Sequence, residues 1–166
     1  NQPCETNEEI YPMFMYNQYA LVPDTEGAGK YRGSLSVARD WVFLGDDAVF
    51  QLRTDRQKVP PYGLQGGLPG AVSQSIVNPG TEDRHIGKTT INLKKDDVYR
   101  LLTQGGGGWG SPLERDVNMV LDDVRNEKVS IERAKNVYGV VIDEKTMEVH
   151  LKETEKLREA MKKGES

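Results

Sequence analysis

Gly105-Gly106-Gly107-Gly108-Trp109-Gly110, followed directly by Ser111-Pro112-Leu113-Glu114, is the least probable stretch of this chain, and its fold turns on it. Four consecutive glycines strip every Cβ from the backbone, which can then take positive φ or approach another surface closely. Trp109 sets one large ring inside that bare stretch. Ser111 is placed to cap a following helix, Pro112 suits its first position, and Glu114 completes a Ser-x-x-Glu capping box. The run is therefore either an anion-binding loop at a helix start or a place where backbone packs on backbone. The free amides favour the first reading, and caps that already use some of those amides favour the second.

Upstream of the run the chain reads as β-structure broken by turns. Residues 13–22, 35–44, 48–53, 72–77, 88–93 and 97–103 are short apolar or alternating stretches, and Gly, Pro and Asp clusters separate them. In 48–53, Phe50 and Leu52 alternate with Val49, Gln51 and Arg53, which predicts one apolar and one polar face. The segment from Pro60 to Gly70 holds too much Pro and Gly for a regular element and is expected to be an ordered loop or a surface excursion.

Downstream the period becomes helical. Leu113, Val117, Val120 and Val124 fall on one face. Ser130 is placed to cap a second helix with Ile131, Ala134 and Val137 inward and Gly139 at its end. Val140-Val141-Ile142 reads as a short strand, and 151–163 as a charged helix whose apolar stripe is Leu157, Ala160 and Met161. The expected fold is α+β: a β-rich body of short, mostly antiparallel strands at 1–110, then two or three C-terminal helices at 111–166, together one compact unit.

The composition narrows the partners. With 22 basic against 26 acidic residues, interspersed along the chain, the net charge is −4, and no nucleic-acid footprint emerges. No apolar run is long enough to span a bilayer. The single cysteine, Cys4, has no internal disulfide partner, which fits a reducing cytoplasm. A hydrophobic fraction of 36% with 17 glycines is lean for a self-sufficient domain, so part of the stability is expected from a partner.

The chain's motifs are weak as chemistry. Gly27-Ala28-Gly29-Lys30 fails the phosphate-loop spacing, because Asp24 stands where Gly is needed and Tyr31 where Ser or Thr is needed. A tight turn is the plainer reading, with Arg32 beside Gly33 as a candidate anion contact. His85 and His150 lie in no metal-ligand pattern, and Asp46-Asp47, Asp96-Asp97 and Asp122-Asp123 are placed in turns or on an exposed helix face. No metal site and no catalytic constellation is expected.

Taken in order, these motifs resemble one family. Gly27 to Gly33, Pro60 to Gly70, Asn78-Pro79-Gly80, Gly105 to Asp116, Val120 to Arg125 and Tyr138 to Ile142 are similar to the C-terminal portion of hydantoinase B, the large subunit of the hydantoinase/5-oxoprolinase family. Its relatives include acetone and acetophenone carboxylases. Asn1-Gln2-Pro3-Cys4-Glu5 resembles the family's Asn-Thr-Pro-x-Glu segment, so Pro3 and Glu5 carry over and Cys4 does not.

The resemblance implies a small subunit, or an excised C-terminal fragment, of a B-type component. It would join a longer B-type chain and an A-type ATPase subunit in an ATP-dependent complex that hydrolyses cyclic amides such as hydantoin or 5-oxoproline. ATP and a divalent metal are implied for the complex and no cofactor for this chain alone. A ketone carboxylase component and a non-catalytic assembly module are the alternatives. Substrate- or anion-binding candidates are Arg32, Gly33, Gly106, Gly107, Gly108, Trp109 and Glu5, and the catalytic residues are expected on other chains.

Overall fold

The computed structural model describes residues 3–164. Asn1 and Gln2, which open the family-like pentapeptide, lie outside the described residues. The fold is α+β, and the chain divides into two units, each assembled from three separate segments.

Unit 1 comprises Asn1–Leu21, Val37–Val59 and Val72–Gln104. Helix α1 (Cys4–Ile10) leads into β1 (Phe14–Val22), β2 (Ser36–Phe43), β3 (Asp47–Leu52), β4 (Gln74–Val77), β5 (Arg84–His85), β6 (Thr89–Lys94) and β7 (Val98–Leu102). A five-stranded sheet has the order β1-β2-β7-β4-β5, and β3 and β6 form a second, two-stranded sheet. The pairs β2–β7, β4–β7, β4–β5 and β3–β6 are all antiparallel. All six expected strands of the β-rich region form, within a residue or two of their predicted ends.

Side chains set the registers. Asp40 stands opposite Arg100 and Trp41 opposite Tyr99. Arg100 grips the Asp40 carboxylate with two bonds, Nε to Oδ1 at 2.8 Å and Nη2 to Oδ2 at 2.6 Å, while the Trp41 and Tyr99 rings stack at 5.5 Å. At the β6–β7 turn, Asp96 takes a φ of 70°, tolerable because a short polar side chain bears the left-handed conformation best after glycine. Asp97 closes that turn by accepting the Lys94 amide. Phe43, Leu52, Val77, Leu93 and Tyr99 form the core, and β3 turns Phe50 and Leu52 inward and Val49 outward as its alternation predicts.

Unit 2 comprises Val22–Ser36, Pro60–Ala71 and Gly105–Ser166. Its helices are α2 (Val117–Arg125), α3 (Ile131–Asn136) and α4 (Leu151–Lys163). Val120, Leu121, Val124, Val129, Ala134, Tyr138, Val140 and Ile142 pack around Ala28. Ser130 caps α3 as expected, accepting the Arg133 amide at 3.0 Å.

Three local expectations are corrected, and one is refined. Ser111 caps only a single 3₁₀ turn, Pro112–Glu114, by accepting from Leu113; the long helix starts later, where the Asp116 carboxylate accepts the Asn118 and Met119 amides. Glu114 completes no capping box and lies 3.8 Å from Lys30 Nζ. Residues 140–142 form no strand: the Val140 amide goes to Ala134, the Val141 amide to Thr154 Oγ1, and Ile142 makes one isolated bridge to Val149. In α4 the expected stripe of Leu157, Ala160 and Met161 is half-buried, and Thr154, whose hydroxyl takes that Val141 amide, is the buried residue.

Candidate functional site

Three extended stretches of unit 2, residues 25–34, 61–71 and 105–110, lie against one another without regular strands. The central stretch is bonded to both others. Gly106 N–H donates to Ser34 at 2.8 Å and Trp109 N–H to Tyr31 at 2.9 Å, while Gly108 N–H goes to Leu68 and Gly110 N–H to Leu64, each at 2.9 Å. In return Gly27 donates to Gly106 O at 2.7 Å and Leu64 to Gly108 O at 2.9 Å. Leu68 donates to Ala28 O at 2.7 Å and joins the outer two stretches.

Such proximity requires bare backbone. A Cβ on Gly33 would overlap the Gly106 carbonyl, and one on Gly107 would overlap the Tyr62 carbonyl. The glycine run thus packs backbone on backbone, and the amides of Gly106 and Gly108 are directed at carbonyl oxygens of this bundle.

The bundle displays apolar side chains. Tyr31 is 59% exposed, Leu64 55% and Trp109 47%. Isolated bridges put both Tyr31 and Leu64 beside Trp109, and the Tyr31 and Trp109 rings sit 5.7 Å apart. The result is an aromatic surface on a rigid backing.

Buried charges fasten the bundle to the helices. The Asp123 carboxylate, on α2, accepts from Arg32 Nε at 2.9 Å and from Arg115 Nη2 at 2.8 Å. Arg115 also donates to the Lys30 carbonyl. Glu26 is buried and accepts from Arg133 Nε at 2.7 Å and from the Tyr138 hydroxyl at 3.0 Å. From α4, Arg158 reaches the Tyr138 and Arg115 carbonyls. Burial, and then the Glu26 carboxylate, push the Tyr138 phenol well above its usual range, so it stays a neutral donor. The hydrogen bond to Asp123 raises the Arg32 guanidinium further.

The predicted site residues are therefore brought together unevenly. Arg32, Gly33, Gly106, Gly107, Gly108 and Trp109 share the bundle, with Arg32 ion-paired to Asp123. Glu5 lies elsewhere, exposed in the first turn of α1 in unit 1. The placement of Asp122-Asp123 on an exposed face is corrected for Asp123, which is buried. The signal was present in the spacing, since position 123 falls on the stripe shared by Val120 and Val124. Glu26, Arg133 and Tyr138 were missed because no local pattern marks a contact formed across some hundred residues, and Arg115, eight residues from Asp123, was missed with it because that aspartate was read as exposed.

Unit 1 holds a separate concavity of about 540 Å³, lined chiefly by Met13, Phe14, Trp41, Phe50, Leu93 and Tyr99. It is apolar, with Arg53 and Gln51 among its lining residues. Among the described residues no three His, Cys, Asp or Glu side chains are grouped to hold a metal ion. No helix among them is long and apolar enough to cross a membrane.

Comparison with known proteins places this architecture. The Hydantoinase B/oxoprolinase family model matches residues 1–112. An uncharacterized protein of Methanocaldococcus jannaschii is 40% identical over 161 residues, 95% of this chain and 28% of that protein. The caprolactamase beta subunit of Pseudomonas jessenii is 31% identical over 145 residues, 84% of this chain and 25% of the subunit.

The crystal structure of that ATP-dependent caprolactamase superposes with a TM-score of 0.79 at 27% identity, covering 96% of this chain and 28% of that one. Nucleotide-free acetone carboxylase shares the fold, with a TM-score of 0.71 at 22% identity over 98% of this chain and 26% of its own. The chain belongs to the hydantoinase B/oxoprolinase family and spans about a quarter of the length of the relatives it matches.

Proposed function

We propose that this chain is the C-terminal portion of a hydantoinase B-type component, acting in an ATP-dependent complex that hydrolyses a cyclic amide. The observation that carries this reading is the caprolactamase likeness, which covers nearly the whole chain at a TM-score of 0.79. An amide oxygen is a poor leaving group, and its phosphorylation by an A-type ATPase subunit would remove that barrier. ATP and a divalent metal would then belong to the wider complex. Among the described residues no three His, Cys, Asp or Glu side chains are grouped to hold that metal.

This chain's share of the work is to offer a stiff wall. Tyr31 and Trp109 would face the neighbouring chains, Gly33 and Gly106 to Gly108 would keep the wall thin, and Arg32 would position it through Asp123. Glu5 would contribute separately from α1. A cytoplasmic location agrees with the unpaired Cys4.

Two other readings each have an observation in their favour. The acetone carboxylase fold favours ATP-dependent ketone carboxylation, and the bundle amides already engaged by carbonyls favour a non-catalytic assembly module. The test is to assay the purified chain, alone and with its A-type and longer B-type partners, for ATP hydrolysis. The substrates are caprolactam, 5-oxoproline, hydantoin, and acetone with bicarbonate. The expected result is turnover only in the reconstituted complex and without a need for bicarbonate. Substantial turnover by the chain alone would overturn the proposal, and strict bicarbonate dependence would favour the carboxylase.

A further inference from the structure

The two edges of the five-stranded sheet are built differently. At one edge, β5 is two residues long and carries Arg84 and His85, a short polar edge of the kind that resists pairing. At the other, β1 runs for nine residues, Phe-Met-Tyr-Asn-Gln-Tyr-Ala-Leu-Val, with no charge and no proline. Met15, Tyr19 and Leu21 on it are 42%, 45% and 57% exposed. Natural edge strands are normally blunted by charge, proline or a bulge, and β1 shows neither charge nor proline.

Backbone direction shows which groups are open. The Leu44 amide donates to the Met13 carbonyl at 2.7 Å, so odd-numbered residues of β1 face β2. The Tyr16 amide instead donates to the Glu8 carboxylate of α1, and the Tyr16 hydroxyl accepts from Asn7. Helix α1 therefore covers the outer edge at Tyr16. By the two-residue period of a strand, the amides of Gln18 and Ala20 point outward beyond that cover.

We infer that β1 is the docking edge for an extended, uncharged strand of a longer B-type chain, which adds a sixth strand beside Gln18 and Ala20. The inference rests on the proposed partnership. It takes its occupant from the relatives, which carry roughly three quarters of their length outside the region matched here. Main-chain bonds would supply affinity, and apolar residues at alternate positions would meet Met15, Tyr19 and Leu21.

The test co-expresses this chain with the Methanocaldococcus jannaschii relative from which the 161 matched residues have been removed. That truncated relative with its own matched segment is the control for competence. A complex is expected, with slowed hydrogen exchange at Gln18 and Ala20. Ala20→Pro removes an outward amide without touching the bonds to β2 and should weaken association about tenfold or more. The double variant Met15→Lys with Leu21→Lys should do the same through side chains, and serves if the proline variant fails to fold.

A complex indifferent to both variants, with Gln18 and Ala20 unprotected, would overturn the edge and leave the partnership standing. No complex, with the control intact, would overturn both. A dimer of this chain alone with those amides protected would assign the edge to a second copy and overturn the inference.

Discussion

The two units solve the problem of specificity in opposite ways. In unit 1, side chains choose the register: Arg100 grips Asp40, Trp41 stacks on Tyr99, and Phe43, Leu52 and Val77 fill the core. In the bundle of unit 2 the absence of side chains does the choosing, and ionic groups hold the result to the helices. A side-chain core tolerates small changes of volume because neighbours repack. A backbone-on-backbone contact has nothing that can move aside.

The chain's two tryptophans divide between the units, Trp41 in unit 1 and Trp109 in unit 2, so fluorescence can follow each during urea unfolding. The largest effect is expected for Gly33→Ala. Its new methyl would overlap the Gly106 carbonyl, costing about 4 kcal/mol and lowering the midpoint reported by Trp109 in a Trp41→Phe background.

Next comes Asp123→Asn, which leaves the half-buried Arg32 and the buried Arg115 guanidinium groups without their shared anion. A loss of about 3 kcal/mol on the same probe is expected. The smallest is Ile76→Val, which removes one methylene from a buried position of unit 1 and should cost about 1 kcal/mol by the Trp41 signal. If Gly33→Ala proves no worse than Ile76→Val, the contrast between the units fails. If Asp123→Asn exceeds Gly33→Ala, the ionic clamps rather than the bundle hold unit 2 together.

How far the sequence could be read follows the same contrast. The strands of unit 1 were legible because alternation is a local consequence of the pleat, as with Val49 out and Phe50 in. Ser130 was legible because a cap acts over three residues. Ser111 misled because Asp116, five residues on, is also a good cap and has the longer helix behind it. Val140 to Ile142 misled because an apolar run reads alike whether it pairs or lies under a helix.

The bundle itself was half legible. Gly105 to Gly108 announced either close packing or an anion loop, and glycine carries no pattern that names its partner. The union of 25–34, 61–71 and 105–110 therefore had to be seen in the fold. Glu26 was hidden for the same reason as any long-range ion pair, since its partner Arg133 lies far along the chain, whereas Asp123 could have been read from its place on the Val120 and Val124 stripe.

The bundle also constrains how this chain can evolve. At Gly33, Gly106, Gly107 or Gly108, every amino-acid replacement adds at least a Cβ where a neighbouring backbone already sits. Random substitution there can only do damage. Adaptation of this surface to a new neighbour must therefore be written in the exposed side chains of Tyr31, Tyr62, Leu64 and Trp109, with the backing left unaltered.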